Sequence, residues 1–370
     1  MNTRLLLPDK LEGIGWFTYE SLKRICQQHP EVDFYFLFDR KPHPDFLFAR
    51  NVKPVVVYPP ARHPLLFYCW FNISLPRILK KIKPDLFVSP DGYNALPFQG
   101  KSLIVIHDLN FEHYPQDLPY WVRKYYRYFF PRFASRATRI ATVSEFSKND
   151  IGNLYKIPQE KIDVVYDGVN ESYQPVNEII KTETKQKFAH NNPYFIYIGS
   201  LHPRKNLINL FKAFDIFKQT DNQNIKLIVA GARMYWTQEI EQAYAGLHYI
   251  EDVIFTDRLN VTDVNHLMGS AIALVYVSYF EGFGIPILEA FACDTPVITS
   301  NRTSLPEIAS EAALIVDPFS PEDIAQAMTQ LSENELLRNE MILKGRLRLK
   351  DFSWNKTADL LWKSIEKTLV

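Results

Sequence analysis

Short apolar runs alternate along the chain with longer stretches in which apolar residues recur every three or four positions. In the first half this predicts strands at Arg4–Leu7, Asp33–Phe38, Val55–Tyr58, Leu86–Ser89, Ser102–Ile106, Arg139–Val143 and Asp163–Tyr166. Helical spacing falls between them at Thr18–Gln28, Phe71–Lys81, Tyr120–Phe133 and Ser147–Tyr155. A stretch rich in Asn, Lys, Glu and Thr then runs from Asn170 to Asn192 without strand character. The rhythm starts afresh beyond it. Strands are predicted at Tyr194–Ile198, Ile225–Ala230, Val253–Thr256, Ile272–Val277, Val297–Thr299 and Ala313–Val316. Helices are predicted at Asn206–Gln219, Asn260–Ser270, Pro286–Cys293, Pro321–Ser332 and Trp354–Val370. On the first of these, Leu207, Leu210, Phe211, Phe214 and Phe217 share one face. Strands alternating with helices indicate an α/β chain with parallel sheets, and the interruption divides it into two doubly wound domains. Such domains bind ligands beyond the carboxyl ends of their strands, so a cleft between the two is expected to hold the site.

At 370 residues, 46% hydrophobic and 23% charged, the chain has the composition of ordinary globular domains, not of a disordered, collagenous or coiled-coil protein. No apolar run approaches the ~18 residues of a membrane span. The two longest, Leu65 to Phe71 and Ala271 to Val277, suit buried segments. The first residues lack a basic-then-apolar signal pattern, so a cytoplasmic protein is expected. Three widely spaced cysteines make neither a disulfide framework nor a zinc site.

The net charge of zero hides a division. Residues 1–170 hold 23 basic and 17 acidic residues, and the remainder 19 and 25. Two stretches are acid-free. One carries Arg50, Lys53, Arg62, Arg77, Lys80, Lys81 and Lys83; the other, Tyr120 to Ile140, carries Arg123, Lys124, Arg127, Arg132, Arg136 and Arg139. Such asymmetry points to an anionic surface or partner.

Candidate chemistry gathers at predicted strand ends. After Tyr194–Ile198 come Gly199-Ser200, then Arg204-Lys205 at or just before a helix start. Cations and a helix N-terminus together favour an anion such as a diphosphate, although two surface charges on a solvated loop would read the same. After Ile272–Val277 comes Glu281-Gly282-Phe283-Gly284-Ile285-Pro286-Ile287-Leu288-Glu289. Gly282 and Gly284 permit close backbone approach, and Pro286 suits a first helical turn. Glu281 and Glu289 could each grip a vicinal diol, one on a sugar and one on a ribose; Glu289 could equally complement the helix dipole. In the first half His107 stands at the tip of Ser102–Ile106, either a satisfied structural residue or a group that meets a substrate hydroxyl. Gly13-Ile14-Gly15 is a two-glycine fragment that would let backbone amides approach a phosphate, or an ordinary turn. P-loop, nucleophile-elbow and metalloprotease patterns are absent, as are paired aspartates for a divalent metal. Protein cations would then stabilise a departing diphosphate.

In this order, Gly-x-Gly, His-Asp, Thr-Val-Ser-Glu-Phe-Ser-Lys (142–148), Arg-Lys-Asn (204–206) and Glu-Gly-Phe-Gly-x-Pro-x-x-Glu (281–289) resemble glycosyltransferase family 4 over nearly the whole chain. The resemblance implies a retaining enzyme of the GT-B fold. Residues 1–175 would be a Rossmann-like acceptor-binding domain, 190–352 a Rossmann-like donor-binding domain, and 353–370 a helix returning to the first. Glu281 would hold donor-sugar hydroxyls and Glu289 the ribose. Arg204 and Lys205 would bind the diphosphate and stabilise its departure, beside Gly15, Gly199 and Ser200. The backbone of Phe283, Gly284 and Ile285 would line the sugar pocket, His107 would touch the transferred sugar, and the base would lie near Arg258 and Leu259. No metal and no cofactor are implied beyond the donor, a GDP- or UDP-hexose. The acceptor would be a glycan or a lipid-linked sugar. The Gly13-Ile14-Gly15 form points to mannosyltransferase-like members, whereas Gly231-Ala232-Arg233 and Thr256-Asp257 depart from the family pattern near the base.

The basic segment 120–140 is either a core-packed helix with a solvated face or a peripheral contact with anionic lipid at the inner face of a membrane. No nucleic-acid recognition module accompanies it. A sugar-nucleotide 2-epimerase of the same fold and a non-catalytic sugar-nucleotide-binding protein remain open alternatives at this level.

Overall fold

A computed structural model describes residues 1–8 and 11–370. The chain forms two units, Met1–Gly168 with Ser353–Val370, and Val169–Phe352.

The first unit contains β1 (Phe34–Phe38), β2 (Val52–Val56), β3 (Leu86–Ser89), β4 (Lys101–Val105), β5 (Arg139–Thr142) and β6 (Ile162–Val164). Strands β3-β4-β5-β6 make one parallel sheet and β1-β2 a parallel pair. The strand predicted at Arg4–Leu7 is reduced to a single bridge between Asn2 and Leu37. Its side chains explain why: Asn2 Nδ2 donates to Asp91 Oδ1 at 2.8 Å and Arg4 Nε to Asp91 Oδ2 at 2.6 Å, and the backbone turns so that Leu6 N reaches Thr3 O. The helix predicted from Thr18 starts at Gly13, so Gly13 and Gly15 lie in its first turn and not in a loop. The helix predicted from Phe71 starts at Pro64. It continues through a wide turn at Trp70–Ser74 to Ile82. Leu65, expected to be buried, is exposed.

The helix Trp354–Leu369 belongs to this unit. Thr357 Oγ1 donates to Tyr166 O (2.7 Å), Ser364 Oγ to Asp163 Oδ2 (2.6 Å), and Trp362 stacks on His29 at 3.6 Å. Gly168 permits the crossing, because a Cβ there would lie 2.3 Å from Trp354 N.

The second unit holds one six-stranded sheet of β7 (Tyr194–Ile198), β8 (Lys226–Ala230), β9 (Val253–Phe255), β10 (Leu274–Tyr276), β11 (Val297–Ser300) and β12 (Leu314–Val316). Every pairing is parallel, in the order β9-β8-β7-β10-β11-β12. Strand order therefore reverses between β7 and β10, which makes their carboxyl ends the switch point at which such sheets bind ligands. The helix Leu207–Lys218 buries the predicted Leu207, Leu210, Phe211, Phe214 and Phe217 face against this sheet. The polar stretch before β7 contains a helix of its own, Glu178–Ala189, capped by Asn177 Oδ1 accepting from Ile180 N. Among the described residues, no helix is long and apolar enough to cross a membrane.

Candidate active site

The two loops predicted to carry chemistry in the second half leave β7 and β10 side by side. The β7 loop is fixed by its own backbone. Gly199 takes φ +146°, its N–H donates to Ala230 O at 3.0 Å, and Tyr197 Oη donates to Ser200 O at 2.8 Å. Pro203–Lys205 then form a short 3-10 turn, and Asn206 at φ +64° starts the helix at Leu207. Arg204 and Lys205 thus precede the helix by one tight turn. Asn206 is the pin: its Nδ2 donates to Val277 O (3.0 Å) and Pro318 O (2.6 Å).

The β10 loop is latched to this turn. Tyr279 N donates to Arg204 O at 3.0 Å, and Arg204 Nη1 donates to Phe280 O at 2.9 Å. Glu281 N donates to Thr303 Oγ1 at 3.1 Å, while Ser304 Oγ donates to Glu281 O (3.0 Å) and Phe283 O (2.9 Å). Phe283 packs edge-on against Phe352, and Gly284 at φ +113° opens the helix Ile285–Ala292.

Glu281 receives both cations. Its Oε2 lies 2.5 Å from Arg204 Nη1 and its Oε1 2.6 Å from Lys205 Nζ. Lys205 Nζ also donates to Tyr276 Oη at 2.6 Å. Lys205 is 8% exposed and Glu281 6%. Burial alone would push the carboxyl up, yet the charges of Arg204 and Lys205 outweigh it and hold Glu281 down to about 2. The Tyr276 phenol is pushed well up by burial and by Glu281, so it stays protonated. Two cations against one carboxylate leave the cluster with a net positive charge at a strand-end crevice. That arrangement suits a polyanion.

Glu289 behaves differently. It sits in the second turn of Ile285–Ala292, half-buried, and burial pushes its carboxyl up to about 7 against the hydrogen bond from Tyr173. A carboxylate placed to complement a helix N-terminus would be held down, and within the first turn. Dipole complementation is therefore a poor account of Glu289.

Beyond β9, Arg258 is exposed and Leu259 half-buried. In the neighbouring loop Arg233, which the sequence marks only as part of a departure from the family pattern, has its guanidinium 4.4 Å from the Phe255 ring centroid and 5.2 Å from that of Trp236. Tyr173, Tyr276, Thr303 and Ser304 were not singled out. Of these, Tyr276 lies next to one of the two loops in sequence, whereas Tyr173, Thr303 and Ser304 carry no such signal.

In the first unit His107 follows β4. Its Nε2 lies 2.9 Å from Pro90 O, and Phe17 meets its ring edge-on at 4.9 Å. The carbonyl fixes the proton on Nε2, so Nδ1 can only accept. Burial pushes the imidazole down, outweighing the Pro90 bond, which keeps it neutral near pH 7. Phe17 and Gly15 share the helix Gly13–Gln28. At Gly15 a Cβ would lie 3.3 Å from both Leu5 O and Leu11 Cδ2, so its backbone is closely packed. Among the described residues no group of three or more His, Cys, Asp or Glu could hold a metal ion.

Comparison with known proteins defines the class. The chain is a glycosyltransferase of the GT-B fold, made of two Rossmann-like units. Residues 179–348 match the sequence model of Glycosyl transferases group 1, and 11–173 that of Glycosyltransferase Family 4. Among curated relatives, O-antigen chain mannosyltransferase B of Escherichia coli is 29% identical, with 93% of each chain covered. O-antigen chain mannosyltransferase RfbU of Salmonella typhimurium is 26% identical over 87% of this chain and 88% of its own. Among solved structures, Anabaena HepE in complex with UDP and glucose superposes with a TM-score of 0.76 at 15% identity, covering 97% of each chain. WaaG, a glycosyltransferase involved in lipopolysaccharide biosynthesis, gives 0.73 at 18%, covering 95% of this chain and 96% of its own. The chain belongs to glycosyltransferase family 4.

Proposed function

We propose that the enzyme is a retaining, metal-independent mannosyltransferase of polysaccharide biosynthesis. It takes its sugar from a GDP- or UDP-hexose and passes it to a glycan or lipid-linked acceptor. The observation that carries this reading is the Arg204–Lys205–Glu281 cluster at the strand-order reversal of the second unit. The mannosyl assignment draws support from the Escherichia coli and Salmonella relatives, and a uridine donor from the UDP bound by HepE.

The proposed chemistry follows from the charges. As the bond between the sugar's C1 and the diphosphate oxygen breaks, negative charge grows on the leaving group, and Arg204 and Lys205 stabilise it. The acceptor hydroxyl attacks C1 from the same face and gives its proton to a departing phosphate oxygen, so the configuration is retained. Each Glu281 oxygen receives one cation and keeps lone-pair capacity for a sugar hydroxyl. Glu289 takes the ribose, the backbone of Phe283, Gly284 and Ile285 lines the sugar, and the Arg258–Leu259 loop receives the base. His107, neutral, contacts the transferred sugar as an acceptor, and Gly15 lies near the phosphates. On this reading the enzyme works in the cytoplasm, with the basic segment 120–140 touching the inner face of the membrane.

The test is a product assay with the purified protein, GDP-mannose or UDP-glucose, and a polyprenyl-diphosphate glycan acceptor, with and without EDTA. Acceptor-dependent release of nucleoside diphosphate, retention at C1 and indifference to EDTA are expected. An epimerised sugar formed without acceptor would identify an epimerase. Donor binding without release would identify a binding protein.

A further inference from the structure

The loops after β8 and β9 hold the two departures from the family pattern, Gly231-Ala232-Arg233 and Thr256-Asp257. They leave the sheet side by side, since Val229 pairs with Phe255 and Thr256 N donates to Val229 O at 3.2 Å. The β8 loop bridges the cation cluster and the end of β9. On one side it lies on the β7 turn: a Cβ at Gly231 would stand 1.9 Å from Gly199 O, and the Tyr235 ring lies 5.0 Å from that of His202. His202 in turn accepts from Arg204 N at 3.3 Å. On the other side Arg233 rests on Phe255 and Trp236, whose rings meet edge-on at 5.6 Å. A nucleotide whose diphosphate meets Arg204 and Lys205 has this loop as its path towards the end of β9.

Two opposite charges stand unused there. Arg233 and Asp257 are both exposed, and among the described residues neither side chain makes an ion pair or a hydrogen bond. They do not pair with each other, although they rise from adjacent loops. Stacking on two aromatic faces restrains the guanidinium plane and leaves its N–H fork without a protein acceptor. Asp257 takes φ +54°, a left-handed conformation that aspartate tolerates better than most residues. A phosphate would suit Arg233 and be repelled by Asp257. A group that accepts along one edge and donates along the next suits both.

We propose that Arg233 and Asp257 read the donor's base, and that the base is guanine. The Arg233 fork donates to O6 and N7, and the Asp257 carboxylate accepts from N1–H and the N2 amine. Uracil offers no such pair of edges: its ring N–H lies between two carbonyl oxygens, which a carboxylate repels. Adenine carries an amine where guanine has O6, and so turns a donor towards the arginine. The inference rests on the proposed donor site, which admits GDP or UDP, and it selects GDP.

Isothermal titration of the full chain with GDP, UDP and inosine diphosphate, which is GDP without the N2 amine, tests it. GDP is expected to bind roughly tenfold or more tightly than UDP, and more tightly than inosine diphosphate. Arg233→Lys keeps the charge and loses the fork, so it should weaken GDP by roughly tenfold and leave UDP unaltered. Asp257→Asn suits the same backbone and should narrow the gap between GDP and inosine diphosphate. UDP bound as tightly as GDP overturns the proposal, and so does binding of neither. Variants that weaken GDP and UDP by the same factor overturn it too, because the two residues would then serve the fold or the phosphates. The wild-type comparison needs no variant, so a misfolded one cannot shield the proposal. Base selection is read from binding alone. Guanine-selective binding without sugar transfer would sink the transferase reading and keep this one; transfer from a UDP-hexose with no preference for GDP would do the reverse.

Discussion

Lys205 Nζ and Glu281 Oε1 stand 2.6 Å apart, both nearly sealed from solvent, with Arg204 on the carboxylate's other oxygen. The group proposed to read the sugar therefore also positions the cations proposed to hold the diphosphate. Neither cation could be buried there alone, because an unpaired charge at such a site is strongly unfavourable. The pairing also orients them: Tyr276 Oη and Glu281 Oε1 fix the ammonium from two sides. A donor then meets cations already aimed, with little reorganisation left to the reaction step.

Lys205→Ala is expected to lower kcat by about 10²–10³-fold while raising the donor KM far less, because its contact strengthens as charge develops. Steady-state kinetics on the purified variant measure this directly. Unchanged turnover would remove Lys205 from the role. Tyr276→Phe, which keeps the lysine and removes one of its two fixed partners, should fall between the variant and wild type.

Glu281→Gln should impair donor use more than it impairs binding of free nucleoside diphosphate, since the diphosphate loses only the positioning of Arg204 and Lys205 whereas the donor also loses a contact to its sugar. Isothermal titration with the diphosphate and kinetics with the sugar donor separate the two, and equal loss of both would mean that the carboxylate does not read the sugar. The pH dependence has a definite sign. A carboxyl held at about 2 against an ordinary 4.5 contributes stability above pH 4.5, which is lost as pH falls from there towards 2. Wild type should therefore lose its advantage over Glu281→Gln only in that acid window.

The strand positions of the second unit and the helix that follows its first strand were legible in the sequence, because buried parallel strands are continuous apolar runs and the helix Leu207–Lys218 has a strict apolar face. Two misreadings share a cause. At Arg4 a long-range pair with Asp91 overrode strand propensity, and at Leu65 an apolar run proved to be a surface face. Periodicity reports that a residue is apolar, not whether anything covers it. Tyr276 and Ser304 were invisible for another reason: their roles depend on loops that meet only once the sheet has formed.

Gly231 presents a sharper packing constraint than Gly13, Gly15, Gly199 or Gly284. A Cβ there would stand 1.9 Å from Gly199 O, a backbone atom that cannot swing aside. Gly231→Ala must displace the β7 loop, and with it Ser200, Arg204 and Lys205. A destabilisation at or above the ~1–3 kcal/mol of ordinary overpacking is expected, together with loss of nucleoside-diphosphate binding. Gly13→Ala is the control. A Cβ at Gly13 meets nothing within 4 Å in a first helical turn, so the change should be neutral or stabilise by about 0.5–1 kcal/mol. Thermal unfolding of both variants, with and without diphosphate, decides the point; equal behaviour would dismiss the constraint.

Glu289 makes the stability of the second unit depend on pH near neutrality. Its carboxyl is pushed from an ordinary 4.5 up to about 7 by burial, only partly offset by Tyr173. The folded form thus binds a proton more tightly than the unfolded chain. The sign is opposite to that of Glu281: the contribution is fully present below pH 4.5 and is lost as pH rises through 7. Glu289→Gln mimics the protonated form, so it should melt with wild type at pH 5 and above it at pH 8, by roughly 3 °C or more. Tyr173→Phe removes the bond that favours ionisation and should enlarge the wild-type loss at pH 8. If Glu289 grips the ribose as proposed, Glu289→Gln will also weaken binding of nucleoside diphosphate at both pH values. A variant stabilised at pH 8 with unaltered nucleotide affinity would leave the buried carboxyl real and its ribose role refuted.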